Sequence, residues 1–157
     1  MSETKEFFTF NEYIKKNKLT PSEEDYIEMI YRLFLKEDNI KVSDISEHLN
    51  IKPPSVTKMI KKLSEKDLLI YKKYDYVLLS DIGQIVGREL LNRHYVVNEF
   101  LNIIGVEENI HEETEKIEHT LSSDTLEKIK ELTDFFSDNI EVLNKFNIYK
   151  KSYKNRR

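Results

Sequence analysis

The sequence predicts a mainly α-helical chain, a winged helix-turn-helix followed by an all-helical segment. Three observations predict it. Only 3 Gly and 3 Pro occur in 157 residues, so breaks are few. Apolar residues recur at helical spacing through most of the chain. Two short apolar runs, Leu68–Tyr71 and Tyr76–Leu79, flank a polar turn in the manner of a β-hairpin.

Residues 1–19 carry no clear helical or strand period and are assigned as an amino-terminal arm. Thr20-Pro21-Ser22-Glu23 is a helix start: Thr20 can cap, Pro21 suits the first turn and Glu23 completes a capping box. The following Ile27, Ile30, Tyr31 and Phe34 make an amphipathic helix that ends near Lys36-Glu37-Asp38-Asn39. A short helix, Ser43 to Leu49, leads through the tight turn Asn50-Ile51-Lys52 to another helix opened by Pro53-Pro54. Helix, short turn, helix is the helix-turn-helix pattern, and the hairpin after it is the wing. Residues 20–79 are therefore read as a winged-helix DNA-binding domain.

Ser80-Asp81 opens a long helix that Gly105 ends. Further helices follow over Glu112–Leu121 and Ser123–Phe136, so residues 80–140 form an all-helical domain and 141–157 a basic tail. The long helix carries Ile85, Val86, Leu90, Val97, Leu101 and Ile104, more apolar surface than one small domain needs, which predicts a homodimer interface. The same stripe also suits a core within one chain.

The composition is 39% hydrophobic and 34% charged, that of a globular chain. There is no Cys, which excludes disulfides and thiolate metal sites. No signal-like apolar core is visible at the amino terminus, and no run approaches the roughly 20 apolar residues of a membrane span. A cytoplasmic location with no membrane partner is the expectation.

The net charge of −4 is unevenly spread. Lys52 to Lys73 holds seven basic residues against two acids, and Glu107 to His119 holds six acids against one lysine. A local basic segment in a weakly acidic chain suits double-stranded DNA as partner. The second helix of a helix-turn-helix enters the major groove leading with its amino-terminal residues. Ser55 and Thr57 can bond base edges or phosphates there. Lys58, Lys61 and Lys62, with Lys72 and Lys73 of the wing, can neutralise phosphates. A solvated lysine-rich helix face is the plain alternative; helix order, turn length, hairpin and basic bias together favour DNA.

Six side chains have metal-ligand chemistry. Asp25 and Glu28 lie three residues apart on one predicted helix, Glu115, Glu118 and His119 on another, and His94 on the long helix. Residues at i, i+3 and i+4 share a helix face. Singly, each has a structural explanation: Asp25 with the helix dipole, Glu28 paired with Arg32 at i+4, Glu115 and Glu118 on a solvated face, His94 in the core. Together, carboxylates clustered on two helices repel unless cations compensate. The pair Glu108 and His111 falls in a predicted loop and is taken as chance.

The stretches TPSEEDYIEMIYRL, VSDISEHLNIKPPSVTKMIKKL, LLIYKKYDYVLLSDIGQIVGRELLNRHYVVNEFL and IGVEENIHEETEKIEHTLS resemble the manganese-responsive branch of the diphtheria-toxin-repressor family, over about residues 20–136. The resemblance implies a winged-helix domain, a helical dimerisation domain, a two-metal site and repression of manganese-uptake genes when metal is bound. It places the six ligands on Asp25, Glu28, His94, Glu115, Glu118 and His119, with Glu28 and Glu115 as bridges. It implies that metal fixes the domain orientation in a dimer and so the spacing of its recognition helices, about 34 Å in such dimers.

Iron-sensing relatives place a Met and a Cys where this chain has Asp25 and Glu115. Oxygen and imidazole donors suit Mn²⁺, two per protomer, with Fe²⁺ as the alternative. The arm is a departure from typical manganese sensors. The chain also has no room for the additional carboxy-terminal barrel domain of the iron regulators. An enzyme is not expected, because dimetal oxygen-activating bundles repeat Glu-x-x-His on paired helices and this chain lacks the second copy. A metal-independent winged-helix regulator is the remaining alternative.

Overall fold

The computed structural model describes residues 3–37, 39–72 and 76–155, with the side chains of residues 3–8 and 154 left aside. Helices and strands follow in the order α1 (Glu3–Asn17), α2 (Pro21–Phe34), β1 (Ile40–Lys41), α3 (Val42–Leu49), α4 (Pro53–Glu65), β2 (Leu69–Tyr71), β3 (Tyr76–Leu79), α5 (Asp81–Ile104), α6 (Ile110–Glu118), α7 (Ser123–Asp138) and α8 (Ile140–Lys154). They divide into two compact units, Met1–Asn92 and Arg93–Arg157.

The first unit is a winged helix. The capping box forms as the sequence predicts: the Glu23 amide donates to Thr20 Oγ1 and the Thr20 amide to Glu23 Oε2. α3 and α4 are joined by a turn in which Asn50 takes the left-handed conformation, φ 52°, tolerated by Asn better than by most residues. The Ser46 hydroxyl donates to the Ile51 carbonyl and ties that turn. β2 and β3 pair antiparallel, Leu69 opposite Leu79 and Tyr71 opposite Val77. The hairpin's turn, residues 73–75, lies outside the described residues.

Three features depart from the sequence reading. A two-residue strand, β1, adds to the hairpin through Ile40–Val77 pairing, giving the order β1-β3-β2. Two residues are too few for a strand period to be visible. Residues 3–17 are helical, and Phe10 is buried in the winged-helix core. Residues 140–154 of the basic tail are helical as well.

The core of the first unit is a continuous apolar cluster. Ile27 and Ile30 of α2, Ile45 of α3, Val56, Ile60 and Leu63 of α4, Leu68 and Val77 of the wing are all fully buried. Val86, Leu90 and Leu91 of α5 join it. α5 approaches α2 closely at Gly87, where an added Cβ would lie 2.6 Å from Tyr31 Cβ. Ser80 caps α5 by accepting the Gly83 amide at 2.9 Å.

α4 is held at its far end. Tyr13 of α1 donates its hydroxyl to the Lys66 carbonyl at 2.8 Å. Glu23, fully buried at the start of α2, ion-pairs through Oε1 with Lys62 at 3.1 Å and Lys66 at 2.9 Å. Lys66 also donates to Oε2 at 3.0 Å. Both ammonium groups thus lie within ion-pair distance of the buried carboxylate. Burial opposes ionisation of Glu23, but the Thr20 amide and the two ammonium groups outweigh it and bring the carboxyl down to about 2.

In the second unit, the carboxy-terminal part of α5 presents Val96, Val97 and Leu101 as buried apolar residues. α6 starts at Ile110, two residues before the predicted start, so His111 is helical rather than in a loop. It ends at Glu118, and His119 takes the C-cap position. Ser122 caps α7 by accepting the Thr125 amide at 3.2 Å. α7 and α8 are joined by stacking of Phe136 on Phe146, ring centroids 5.4 Å apart.

Candidate nucleic-acid interface and metal-ligand residues

α4 is the recognition helix by its place in the motif. Its core stripe of Val56, Ile60 and Leu63 faces inward, so the residues between these are turned outward. Ser55, Lys58, Lys61 and Lys62 are exposed and Thr57 is half-buried. Pro53 and Pro54 open the helix with no acid in its first turn, leaving its positive end clear of carboxylates. Lys62 is shared with Glu23, so part of its charge is already compensated. Lys72, after β2, is exposed; Lys73 lies outside the described residues.

The predicted metal ligands fall in two groups. In the first unit, Asp25 and Glu28 lie on successive turns of α2; Asp25 is half-buried and Glu28 is buried. Arg32 donates to Glu28 Oε1 twice, from Nε at 2.9 Å and from Nη2 at 2.6 Å. The i+4 pairing read from the sequence is therefore present.

In the second unit, His94 of α5 donates from Nδ1 to Glu118 Oε2 of α6 at 2.9 Å. Glu115 Oε1 lies 3.7 Å from the same nitrogen, and His119 Nε2 lies 3.7 Å from Glu118 Oε1. Ligand atoms of Glu115, Glu118 and His119 all fall within 4.8 Å of one another. Glu118 is 2% exposed and His94 8%, whereas Glu115 is open to solvent. Arg93, itself buried, reaches the Glu118 carbonyl at 3.4 Å.

A buried carboxylate flanked by two imidazoles is costly unless its charge is compensated. The donor set is oxygen and imidazole nitrogen without sulfur, which suits a first-row divalent cation of the harder kind. Glu115, Glu118 and His119 share a face as their i, i+3, i+4 spacing predicted, and packing of α5 on α6 adds His94. Sequence reasoning missed Arg93, Tyr13 and the ionic role of Glu23. Only the capping role of Glu23 is local; its partner Lys66 is 43 positions away and carries no sequence signal.

The fold and these residues define a winged-helix DNA-binding regulator with a helical metal-binding segment. Residues 18–77 match the iron dependent repressor N-terminal DNA binding domain, and residues 80–145 match the iron dependent repressor metal binding and dimerisation domain. The chain belongs to the iron dependent repressor family, and is a homodimerising DNA-binding regulator rather than an enzyme.

It is 46% identical over 123 residues to the HTH-type transcriptional regulator MntR of Bacillus pumilus (strain SAFR-032), covering 78% of this chain and 85% of that one. It is 45% identical over 120 residues to MntR of Bacillus subtilis (strain 168), covering 76% and 84%. Among solved structures, the manganese regulator SloR superposes with a TM-score of 0.65 at 34% identity, covering 74% of this chain and 55% of that chain. ScaR with bound Zn²⁺ superposes with a TM-score of 0.61 at 36% identity, covering 72% and 54%. The chain thus spans about half the length of these two solved regulators. No helix among the described residues is long and apolar enough to cross a membrane.

Proposed function

We propose that the chain is a Mn²⁺-dependent repressor that binds operator DNA of manganese-homeostasis genes as a homodimer in the cytoplasm. The buried His94–Glu118 pair, with Glu115 and His119 around it, is the observation that carries this reading. The names of the MntR relatives and of the manganese regulator SloR support it.

Asp25, Glu28, His94, Glu115, Glu118 and His119 would hold the metal, two ions per protomer. The ions supply positive charge among these acids. Two of the ligands stand on α2 and four on or beside α5 and α6. Engaged together, they tie the winged helix to the dimerising segment and set the separation of the two recognition helices. Ser55 and Thr57 read bases or phosphates; Lys58, Lys61, Lys62, Lys72 and Lys73 neutralise phosphates. Winged helix, arm (1–19), helical domain (80–140) and tail (141–157) are the working parts.

Fe²⁺ is the second reading, favoured by the iron dependent description of both matched domains. The absence of any sulfur donor among the six residues weighs against it.

Fluorescence anisotropy with DNA from a manganese-transporter promoter tests both. Tight binding with Mn²⁺ and weak binding with chelator are expected, and anaerobic Fe²⁺ should serve less well. Equal binding in all conditions would overturn metal control.

A further inference from the structure

We propose that Arg32 is a tethered cation that competes with the metal for Glu28 and so sets the metal concentration at which the protein responds. The inference rests on the reading of Glu28 as a metal ligand.

Glu28 and Arg32 are one turn apart on α2, where side chains at i and i+4 meet. Both guanidinium contacts, 2.9 and 2.6 Å, go to the same oxygen, Oε1. A carboxylate oxygen offers about two lone-pair directions, and Arg32 fills both of them at Oε1. A metal ion held by Oε1 would need one of those directions. Arg32 must therefore withdraw from Oε1, or share it, before that oxygen can hold a metal ion.

The pair is not an ordinary surface ion pair. The Glu28 side chain is 12% exposed, against 31% for Arg32, so the acceptor sits largely out of water. There a charge-assisted bond is shorter and stronger than between neutral groups. Affinity for metal is reduced by the free energy of the contact that metal must displace.

The structural alternative is that Arg32 merely orients Glu28. The two roles differ in sign: losing a competitor tightens metal binding, and losing an orienting group weakens it.

The test is direct Mn²⁺ binding by the full chain without DNA, read by the EPR signal of free Mn²⁺. Arg32→Met removes the charge and keeps most of the stem; Arg32→Lys keeps the charge. We expect Arg32→Met to bind Mn²⁺ about tenfold more tightly, the scale of one charge-assisted contact. Arg32→Lys should stay within about threefold of the unaltered chain. Circular dichroism melts in chelator verify that both variants fold.

Unchanged or weaker binding by Arg32→Met would sink the proposal alone, as would equal tightening by Arg32→Lys. Glu28→Gln separates the underlying reading. If it binds Mn²⁺ as well as the unaltered chain, Glu28 is no ligand and both ideas fall.

Discussion

The two units bury different chemistry. The winged-helix unit closes over a continuous apolar cluster running from Phe10 to Leu91. The second unit buries few apolar side chains, Val96, Val97 and Leu101, beside polar ones: Arg93, His94, Thr114, Glu118 and Thr133. Meanwhile it exposes Leu132, Phe135, Ile140, Val142, Ile148, Tyr149 and Tyr153. The first unit is stabilised by its own burial. The second spends its interior on carboxylate, imidazole and guanidinium groups and exposes apolar side chains, within the part of the chain that matches a metal binding and dimerisation domain.

The largest expected effect breaks function without breaking the fold. Glu118→Leu replaces a buried carboxylate with an apolar group of similar volume. The change leaves the buried His94 Nδ1–H without its acceptor, at a cost of about 1–3 kcal/mol. We expect the melting midpoint in chelator to fall modestly with the chain still folded, while Mn²⁺ affinity falls by at least about 100-fold, roughly 2.7 kcal/mol. The contrast is Ile60→Ala in the first unit, where deleting a fully buried side chain costs about 2–5 kcal/mol. Calorimetry with and without Mn²⁺ compares the two. Should Glu118→Leu unfold the chain in chelator, the second unit depends on that carboxylate for its fold.

The next effect concerns the exposed apolar surface. Phe135 is 49% exposed and packs edge-to-face on Phe136. Burial of such a ring between two copies contributes about 1.5–3 kcal/mol. Phe135→Asp is therefore expected to weaken dimerisation by at least about tenfold in sedimentation velocity. Operator binding should weaken with it. A dimer of undiminished affinity would move the pairing face away from α7.

How much of this was legible in sequence follows the same division. Thr20, Pro21 and Glu23 announce α2, and the α3–turn–α4 pattern with its hairpin announces the wing, because each signal is local. The grouping of Glu115, Glu118 and His119 was legible for the same reason: one helical turn brings them together. α1 was not. Its run ETKEFFTFNEYIKKN mixes aromatic and charged residues without a clean stripe, and the burial of Phe10 is decided by neighbours far along the chain. The ionic clamp of Glu23 on Lys62 and Lys66 was hidden likewise, since tertiary folding alone makes those groups neighbours.

The smallest effect sharpens what α1 adds to the first unit. Tyr13 donates to the Lys66 carbonyl just past the end of the recognition helix. Burial first, then the charges of Asp67 and Glu23, push its hydroxyl up to about 12, from an ordinary value of 10.0. The folded state therefore favours the neutral phenol. Below pH 10 both folded and unfolded chains hold that proton and the contribution is intact. Between pH 10 and about 12 the unfolded chain releases it first, so stability falls as pH rises. Tyr13→Phe removes both the bond and the titration. At neutral pH it should cost about 0.5–1.5 kcal/mol, the net worth of one hydrogen bond. Across pH 10 to 12 its denaturation midpoint should decline less steeply than that of the unaltered chain. Parallel declines in urea titrations over that range would mean that the hydroxyl is not buried beside Asp67 and Glu23, and that α1 adheres through Phe10 and its apolar neighbours instead.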